Sequence, residues 1–440
     1  MPYSKGLQAS DLPVVISRMS ENALILHWPH PSDTVRSLAS ALAYGLSANG
    51  MSVTCLDLTN RRRVSKILAA DRKAFSRIFS LGSIPFRFSI GESPLYEYFD
   101  ALFYFWVLDP IIYDLETVRA TQTFIERCGK SDRLFFLFPD RTYLDIVQDT
   151  VGNNRCVYFP YAASFSDPTQ MQPETAASPG PQAPIILLAS VGSELSEFAS
   201  LSAADVVRQL DPFGLDAHRR CSLVEHVQND ETYSNVTSSV RTFMALEARE
   251  ILKEPVFRFL NALDSTEKRR RRIMAVTLVR AFKMDIFGSG WEQYLSDCPN
   301  FRYFGGIRHD FLADSFRRYE VLFDFAPNWD HGYNDRVVTA LGAGCRVVTT
   351  RNSAASELGA AAELVSHYSA NHPAPSADLE TALASPPVGA KLLSVIRNDH
   401  NWKVRVNSLL RHASQAITPW SARVLPDATA GAAGAASTSA

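Results

Sequence analysis

Two short stretches in the second half of the chain carry residues suited to binding a phosphate group. The first is the turn at residues 288–291 (GSGW), which follows the apolar run Met284–Phe287. Glycines between a strand and a helix let the backbone come close to a phosphate and direct N–H groups at it. The turn is not a dinucleotide fingerprint, because Gln293 stands where G-x-G-x-x-G requires its third glycine. It indicates either a phosphate-binding turn or a tight turn without a ligand.

The second stretch is a helix predicted to start at Asn334, as N-cap, and to end at Gly344, as C-cap. The start of a helix presents N–H groups and the positive end of the helix dipole, which suit a diphosphate. Arg336 lies in the first turn, and Thr339 follows three residues later on the same face, where it could contact a ribose hydroxyl group. The alternative is an ordinary crossover helix with a solvated arginine.

Three residues at predicted strand ends in the first half could act as a general base, namely His30, Asp109 and Asp140. Such a base takes the proton from an attacking hydroxyl group. Asp109 and Asp140 each lie next to a proline just beyond an aromatic strand. Helix capping is the commoner role for side chains at such positions, so it stands beside catalysis as the alternative.

Strand and helix patterns alternate in both halves of the chain, which indicates parallel strands in doubly wound sheets. We therefore predict an α/β protein with two Rossmann-like domains that face a cleft. Ligands are expected beyond the carboxyl ends of the strands. The predicted segments are an N-terminal domain (1–164), a proline-rich linker or loop (165–183), a C-terminal domain (184–390), a closing helix (391–420) and a disordered tail (421–440).

Two further stretches have simpler patterns. Residues 61–80 are predicted to be helical. The basic run at residues 268–272 (KRRRR) is predicted to lie on a solvated helix face, with contact to an anionic partner as the alternative.

Composition excludes several classes of protein. The 440 residues are 46% hydrophobic and 20% charged, with a net charge of −2, which excludes a globally basic nucleic-acid-binding protein. No apolar stretch is long enough for a signal peptide or a membrane-spanning helix. Six scattered cysteines without a C-x-x-C motif indicate free thiols. We expect a cytoplasmic protein without a nucleic-acid partner, a metal or a transmembrane segment, with peripheral membrane contact left open by the basic run.

The segments MDIFGSGW, NFRYFGGI and VLFDFAPNWDHGYNDRVVTALGAGCRVVT occur in this order along the chain. Together they resemble the C-terminal half of the CgeB-like, spore-maturation-type glycosyltransferases of the GT-B class (glycosyl transferases group 1). The resemblance covers roughly residues 270–410 and is loose before them. The residues that match the family's pattern are Gly288, Gly290, Trp291, Gly305, Gly306, Asn334, Arg336, Ala340, Gly344, His400 and Arg405.

This resemblance implies transfer of a sugar from a nucleotide-activated donor to a glycan, a lipid-linked molecule or a protein, with no metal or further cofactor. It implies a donor on the C-terminal domain and an acceptor on the N-terminal domain. Thr339 replaces the glutamate that typically holds the donor ribose, so a non-catalytic relative that binds a sugar nucleotide, glycan or protein is a second interpretation. A third is an unrelated two-domain nucleotide enzyme such as an epimerase or dehydrogenase. From the helix start, the glycine turns and this resemblance together, the predicted donor-binding residues are Gly192, Gly288, Gly290, His331, Asn334, Arg336 and Thr339.

Overall fold

The fold is that of a computed structural model of the chain. The structure describes residues 21–29, 33–68, 71–90, 92–111, 115–128, 131–151, 155–163, 183–191, 201–295, 297–325 and 329–421. Four predicted features lie outside these residues, namely His30, Gly192, the linker up to residue 182 and the tail after residue 421.

The N-terminal half contains a six-stranded parallel sheet with the strand order β2-β1-β3-β6-β7-β8. A short antiparallel pair, β4 and β5, lies outside it. The elements are β1 (Asn22–His27), α1 (Thr34–Ser47), β2 (Ser52–Asp57), α2 (Arg61–Leu68), β3 (Arg77–Leu81), α3 (Ser83–Phe86), β4 (Ser89–Ile90), β5 (Ser93–Pro94), α4 (Leu95–Tyr98), β6 (Leu102–Trp106), α5 (Leu115–Cys128), β7 (Leu134–Phe138), α6 (Arg141–Val151) and β8 (Cys156–Tyr158).

Apolar strands form the centre of this sheet because helices cover both of its faces. β7 (LFFLF) is buried along its whole length, and in β1 the neighbouring side chains of Ile25 and Leu26 enter different hydrophobic cores. The helix predicted over residues 61–80 was wrong in its second half, since α2 ends at Leu68 and β3 pairs between β1 and β6. Burial between two neighbouring strands outweighs the weak helical pattern of these residues.

The C-terminal half contains a second six-stranded parallel sheet with the order β11-β10-β9-β12-β13-β14. The predicted fold class, two doubly wound α/β sheets of Rossmann type, is confirmed. The elements are β9 (Ile185–Leu188), α7 (Ala203–Gln209), α8 (Ala217–Asn229), α9 (Val236–Met244), α10 (Glu254–Leu278), β10 (Met284–Phe287), α11 (Glu292–Leu295), β11 (Phe301–Phe304), α12 (Leu312–Phe316), β12 (Val321–Phe323), α13 (Asp335–Ala343), β13 (Arg346–Thr350), β14 (Val365–Tyr368), α14 (Ser376–Ala384), α15 (Ala390–Asp399) and α16 (Trp402–Ser421), with 3₁₀ segments at Ala248–Glu250, His309–Phe311 and Ser353–Leu364.

Three hydrophobic cores hold these layers together. The first joins side chains of the N-terminal sheet, such as Phe105 and Phe136, to side chains of α7 and α10, such as Val206 and Leu260. The second joins both sheets with α1, α13 and α16, and the third contains side chains of the second sheet together with α10 and α14. Helices that follow β9 in the chain therefore pack with the N-terminal sheet, and the division of the chain at residues 164 and 184 remains a prediction.

The basic run at residues 268–272 lies inside α10, and the solvated face predicted for it was wrong. Lys268, Arg271 and Arg272 are buried. Arg271 donates to two backbone carbonyl groups at 2.8 and 2.9 Å, and Arg272 donates to the carbonyl oxygen of Ser190 at 2.6 Å. These guanidinium groups satisfy carbonyl oxygens at the ends of neighbouring elements, so the run stabilises the packing of α10.

The last helix, α16, returns to the N-terminal half and packs on α1. A Cβ atom added at Gly45 of α1 would lie 2.7 Å from the carbonyl oxygen of Trp402. The ring of Trp402 also contacts that of Trp106, with 5.6 Å between centroids. Within the described residues, every helix is too short or too polar to cross a membrane, and the five cysteines whose side chains are described are free thiols.

Candidate functional site

A cavity of about 430 Å³ lies between the two sheets, at the carboxyl ends of their strands. In the second sheet, the cavity lies at the end of β9. Two later strands pair with β9 on opposite sides, β10 on one side and β12 on the other, so the strand order reverses direction here. Ligands of open α/β sheets bind at such a switch point. The lining residues are Thr34, Val35, Leu38, Leu108, Asp109 and Tyr161 from the N-terminal half, and Leu188, Ala189, Ser190, Phe287, Gly288, Gly306, Ile307, His309, Leu312, Trp329, Asn334, Asp335 and Arg336 from the C-terminal half.

The glycine turn after β10 reaches the cavity at Gly288, whereas Gly290 is not among the lining residues. Gly288 has a φ of 146°, and a Cβ atom there would lie 1.9 Å from the carbonyl oxygen of Ala189. The indole Nε1 of Trp291 donates to the same oxygen at 2.7 Å. The turn therefore requires glycine because it packs against the segment that follows β9.

The predicted helix start at Asn334 is where α13 begins, but Asn334 does not cap it with its side chain. Its Oδ1 atom accepts a hydrogen bond from Nε1 of Trp329, and within the described residues its side chain forms no cap bond to the helix. Asn334, Asp335 and Arg336 all line the cavity. The positive end of the α13 dipole therefore lies at the cavity wall.

Arg336 lines the cavity, and its guanidinium group is held in place by a buried carboxylate. Its Nε donates to Oδ1 of Asp324 at 2.6 Å, and Oδ2 of the same carboxylate accepts from the hydroxyl group of Thr349 at 2.9 Å. Asp324 is fully buried, whereas 22% of the Arg336 side chain is exposed. The pair fixes the direction of the guanidinium group without withdrawing it from the cavity.

His309 and Asp335 form an ion pair in the cavity wall that sequence reasoning missed. Nε2 of His309 is hydrogen-bonded to the carboxylate of Asp335, although 26 residues separate them. Burial lowers the pKa of His309, but the charge and hydrogen bond of Asp335 raise it more, so it lies above its ordinary value. Burial raises the pKa of Asp335, but its interaction with His309 lowers this pKa by more, so the pKa lies below its ordinary value. The only sequence signal was the polar RHD triplet after Gly305 and Gly306.

On the opposite wall, Asp109 follows β6 and is exposed to the cavity. The hydroxyl group of Tyr161 donates to the carbonyl oxygen of Leu108 at 2.6 Å. Burial raises the pKa of Tyr161, and the charges of Asp109 and Asp335 add to that effect. Asp109, Tyr161 and Asp335 all line the cavity.

Asp140 does not line the cavity, and its geometry is that of a helix cap, the alternative to a general base. It is fully buried, and Oδ1 accepts from the N–H groups of Thr142 and Tyr143 at 2.8 and 3.3 Å. Oδ2 accepts from the N–H group of His331 at 2.8 Å. Burial raises the pKa of this carboxyl group despite those bonds. Asp140 caps α6 and ties the N-terminal half to the loop before α13.

His331 and Thr339 also lie away from the cavity. The two ring nitrogens of His331 are hydrogen-bonded to Ser353 at 2.8 Å and to Glu357 at 3.0 Å. Thr339 is 1% exposed, inside the core that joins α13 to the sheets. Thr339 therefore reaches a ligand in the cavity only after a change in the packing around α13.

Several of these residues form a second polar region, which we name the junction cluster. It consists of Asp140, Arg141, Asp330, His331 and Glu357. Arg141 pairs with Glu357 at 2.8 Å, and its N–H group donates to the carbonyl oxygen of His331 at 3.1 Å. The cluster therefore joins α6 of the N-terminal half to the loop before α13 and to the 3₁₀ segment after β13 in the C-terminal half.

The structure thus brings four of the predicted site residues to one cavity and leaves four outside it. Asp109, Gly288, Asn334 and Arg336 line the cavity. Among the described residues, no group of three or more His, Cys, Asp or Glu side chains is arranged to hold a metal ion. The predicted residues that do not line the cavity are Asp140, Gly290, His331 and Thr339.

Comparison with known proteins adds little to this geometry. No protein-family model matches the chain, and no curated protein matches it by sequence. Sucrose-phosphate synthase from Thermosynechococcus elongatus is 9% identical over 91% of this chain and 100% of its own, with a TM-score of 0.43. α,α-Trehalose 6-phosphate synthase from Burkholderia multivorans is 10% identical over 93% of this chain and 99% of its own, with a TM-score of 0.42.

The glycosyltransferase SnogD from Streptomyces nogalater is 12% identical over 89% of this chain and 99% of its own, with a TM-score of 0.35. TM-scores below 0.5 at such identities carry no argument about fold or activity. The fold assignment therefore rests on the topology of this chain, and the proposed activity rests on its residues.

Proposed function

We propose that the protein is a GT-B glycosyltransferase of the CgeB-like type, which moves a sugar from a nucleotide-activated donor to a hydroxyl group of a glycan, a lipid-linked molecule or a protein. The observation that carries this proposal is the cavity between two doubly wound sheets, with the start of α13, Arg336 and His309 on one wall and Asp109 on the other. The ordered motifs around β10, β11 and α13 support it.

The donor side of the cavity is the C-terminal half. A diphosphate at the start of α13 is stabilised by the helix dipole and by the guanidinium group of Arg336. Apolar side chains of Ile307 and Leu312 line the same wall and offer a surface for the nucleoside. The helix dipole and Arg336 stabilise the charge of the leaving diphosphate, and the proposed reaction uses no metal and no cofactor beyond the donor substrate.

The acceptor side is the N-terminal half, where Asp109 is the candidate base. In the proposed step, the acceptor oxygen attacks the anomeric carbon of the donor sugar as its proton passes to the carboxylate of Asp109. The bond between the anomeric carbon and the diphosphate oxygen breaks, and its electron pair stays on the diphosphate. Asp109 then returns the proton to solvent.

A second candidate function is a non-catalytic relative that binds a sugar nucleotide, a glycan or a protein. The burial of Thr339 favours it, because the position that would hold the donor ribose lies inside the core. Titration with UDP-, GDP-, CMP- and dTDP-sugars, combined with a donor-hydrolysis assay, separates the two functions. Binding with turnover supports the transferase, binding without turnover supports the non-catalytic relative, and no binding contradicts both for these donors.

Substitution of Arg336 tests the placement of the donor. Arg336→Ala also leaves the buried carboxylate of Asp324 without its cation, so the charge is tested more cleanly by Arg336→Gln, whose amide can still donate to Asp324. We expect the affinity for the best donor to fall by about 1.5–3 kcal/mol, the size of a charge-assisted hydrogen bond. Arg318→Ala, an exposed arginine outside the cavity, is the matched control. Unchanged affinity in a folded Arg336→Gln variant removes Arg336 from the site.

A further inference from the structure

A second cavity, of about 260 Å³, lies between α6 of the N-terminal half and α9 of the C-terminal half, and we name it the α6–α9 cleft. Its lining residues are all different from those of the cavity between the two sheets. Six of the ten residues that line it carry a hydroxyl group, namely Thr142, Tyr143, Tyr233, Thr237, Ser238 and Thr242. The α6–α9 cleft is therefore a separate and strongly polar site.

The two helices that form the cleft run side by side in the same direction, because they are bridged near both ends. Near their starts, the hydroxyl group of Tyr143 donates to Oγ1 of Thr237 at 3.2 Å. Near their ends, Arg241 pairs with Asp149 at 3.5 Å. The lining residues of α9 recur at intervals of three and four, so their side chains share the helix face that is turned to α6.

Three of the six hydroxyl groups are available to a ligand. Within the part of the chain that the structure describes, the hydroxyl groups of Thr142, Tyr233 and Thr242 have no hydrogen-bond partner, whereas the other three are bonded inside the protein. Thr242 is exposed, and Thr142 and Tyr233 are half-buried, so a ligand can reach all three. A hydroxyl group both donates and accepts, which suits a ligand that carries several hydroxyl groups of its own.

The charges around the cleft favour a neutral ligand. Arg241 lines the cleft with 29% of its side chain exposed, and it pairs with Asp149. Burial and the charge of Asp149 raise the pKa of Asp145, one turn earlier in α6, and the charge of Arg241 acts against them. Arg141, at the start of α6, pairs with Glu357. An anion in the cleft would therefore meet two carboxylates for one guanidinium group.

The size and the remaining lining of the cleft agree with one sugar ring. A volume of about 260 Å³ holds several water molecules and is of the order of a single ring. Ile146, Ala245 and Leu246 add apolar surface between the polar groups. A sugar ring presents the matching chemistry, because hydroxyl groups surround it and C–H groups cover its faces.

We propose that the α6–α9 cleft binds one neutral sugar ring through the hydroxyl groups of Thr142, Tyr233 and Thr242 and the guanidinium group of Arg241. This site is separate from the donor and acceptor sides of the cavity, and it does not depend on the proposed function. Because one wall comes from each half of the chain, a sugar bound in the cleft adds a connection between the two halves.

The test measures sugar binding to the full-length protein by ligand-observed NMR titration. The neutral probes are the methyl glycosides of glucose, galactose, mannose and N-acetylglucosamine, and the anionic contrast is the methyl glycoside of glucuronic acid. We expect at least one neutral glycoside to bind more tightly than the anionic one. Thr242→Val keeps the shape of the side chain without its hydroxyl group, and we expect it to weaken that binding about fivefold, the effect of one neutral hydrogen bond.

Arg241→Gln is the second variant, with an expected loss of about tenfold or more because it removes a charged donor. Thr381→Val changes an exposed threonine of α14 that lies outside the cleft, and as the matched control it leaves the affinity unchanged. If Arg241→Gln does not fold, Thr142→Val takes its place, with an expected loss of about fivefold.

Three results overturn the inference. The first is failure of the wild-type protein to bind any of the neutral glycosides. The second is unchanged affinity in either folded variant, because the sugar would then lie elsewhere. The third is tighter binding of the glucuronic acid glycoside than of every neutral one. Each leaves the proposed function untouched, since that function is tested with nucleotide donors at the other cavity.

Discussion

The cavity and the junction cluster are both assembled from charged side chains of the two halves of the chain, but their polar atoms are used differently. In the junction cluster, the carboxylate of Asp140 accepts from three N–H groups, and both ring nitrogens of His331 are paired. In the cavity, Nδ1 of His309 has no hydrogen-bond partner among the described residues, and Asp109 is exposed.

This difference separates residues that hold the two halves together from residues that can bind a ligand. A ligand that bonds to a fully paired group must first replace an existing hydrogen bond, so little net free energy is gained. A ligand can bond only to a group that it can reach, and Asp109 is exposed whereas Asp140 is fully buried. The two aspartates are therefore better distinguished by their exposure and position than by their residue type.

Asp109 and Asp140 were both predicted as candidate general bases. Substituting each of them provides the strongest test of this comparison. We expect Asp109→Asn to lower turnover about 10²- to 10⁴-fold, the usual contribution of a general base, without a change in the free energy of unfolding. Asp140→Asn places an amide N–H₂ group against backbone N–H groups, so we expect the free energy of unfolding to fall by roughly 2–3 kcal/mol. Sugar transfer assays and urea denaturation measure the two effects.

These two variants are each other's controls. The comparison fails if Asp109→Asn unfolds at lower urea concentration than Asp140→Asn. It also fails if Asp140→Asn lowers turnover of folded protein as strongly as Asp109→Asn does, because Asp140 would then act in the reaction.

Thr339 tests whether the start and the middle of α13 have separate roles. Introducing the glutamate that is typical of the CgeB-like glycosyltransferases, which the sequence resembles, would place a carboxylate in a position that is 1% exposed. We expect Thr339→Glu to lower the free energy of unfolding by about 3 kcal/mol, the order of magnitude for burying an unpaired charge or polar group. Thr339→Ser, which keeps the hydroxyl group, is the control. A stable Thr339→Glu protein with tighter donor binding would mean that position 339 faces the donor after all.

Asp330 of the junction cluster should make the stability of the protein depend on pH near neutrality. Burial raises the pKa of its carboxyl group to about 7. In the unfolded chain the same group has lost its proton by about pH 5, so the folded state binds more protons between about pH 4 and about pH 7. The free energy of unfolding then falls as the pH rises through this window, by about 1 kcal/mol per pH unit, and levels off above it.

Urea denaturation between about pH 5 and about pH 8 measures this slope. Asp330→Asn is expected to remove it, because the amide does not titrate, whereas the exposed Asp314→Asn control retains it. An Asp330→Asn protein with the wild-type slope would mean that other groups set the pH dependence of stability.

The elements of this protein are encoded locally, and the sequence by itself determined most of them. The apolar run Met284–Phe287 predicted β10, and the Asn334 and Gly344 signals predicted the ends of α13. The alternation of strand and helix patterns was sufficient to predict two doubly wound sheets and a cleft at the strand ends, since parallel sheets place all carboxyl ends on one edge. β3 was missed, because its short sequence is held by pairing on both sides.

Only the tertiary structure decided which side chains meet. Asp140 and the N–H group of His331 are 191 residues apart in the chain, and the buried arginines of α10 find carbonyl partners on other elements. No spacing rule reports such pairs, because hydrogen bonds between elements depend on how helices and sheets pack. The same packing turns the first residues of α13 toward the cavity and places Thr339 in the core. The chemistry available to a ligand was therefore set by burial and pairing, which a list of residue types does not contain.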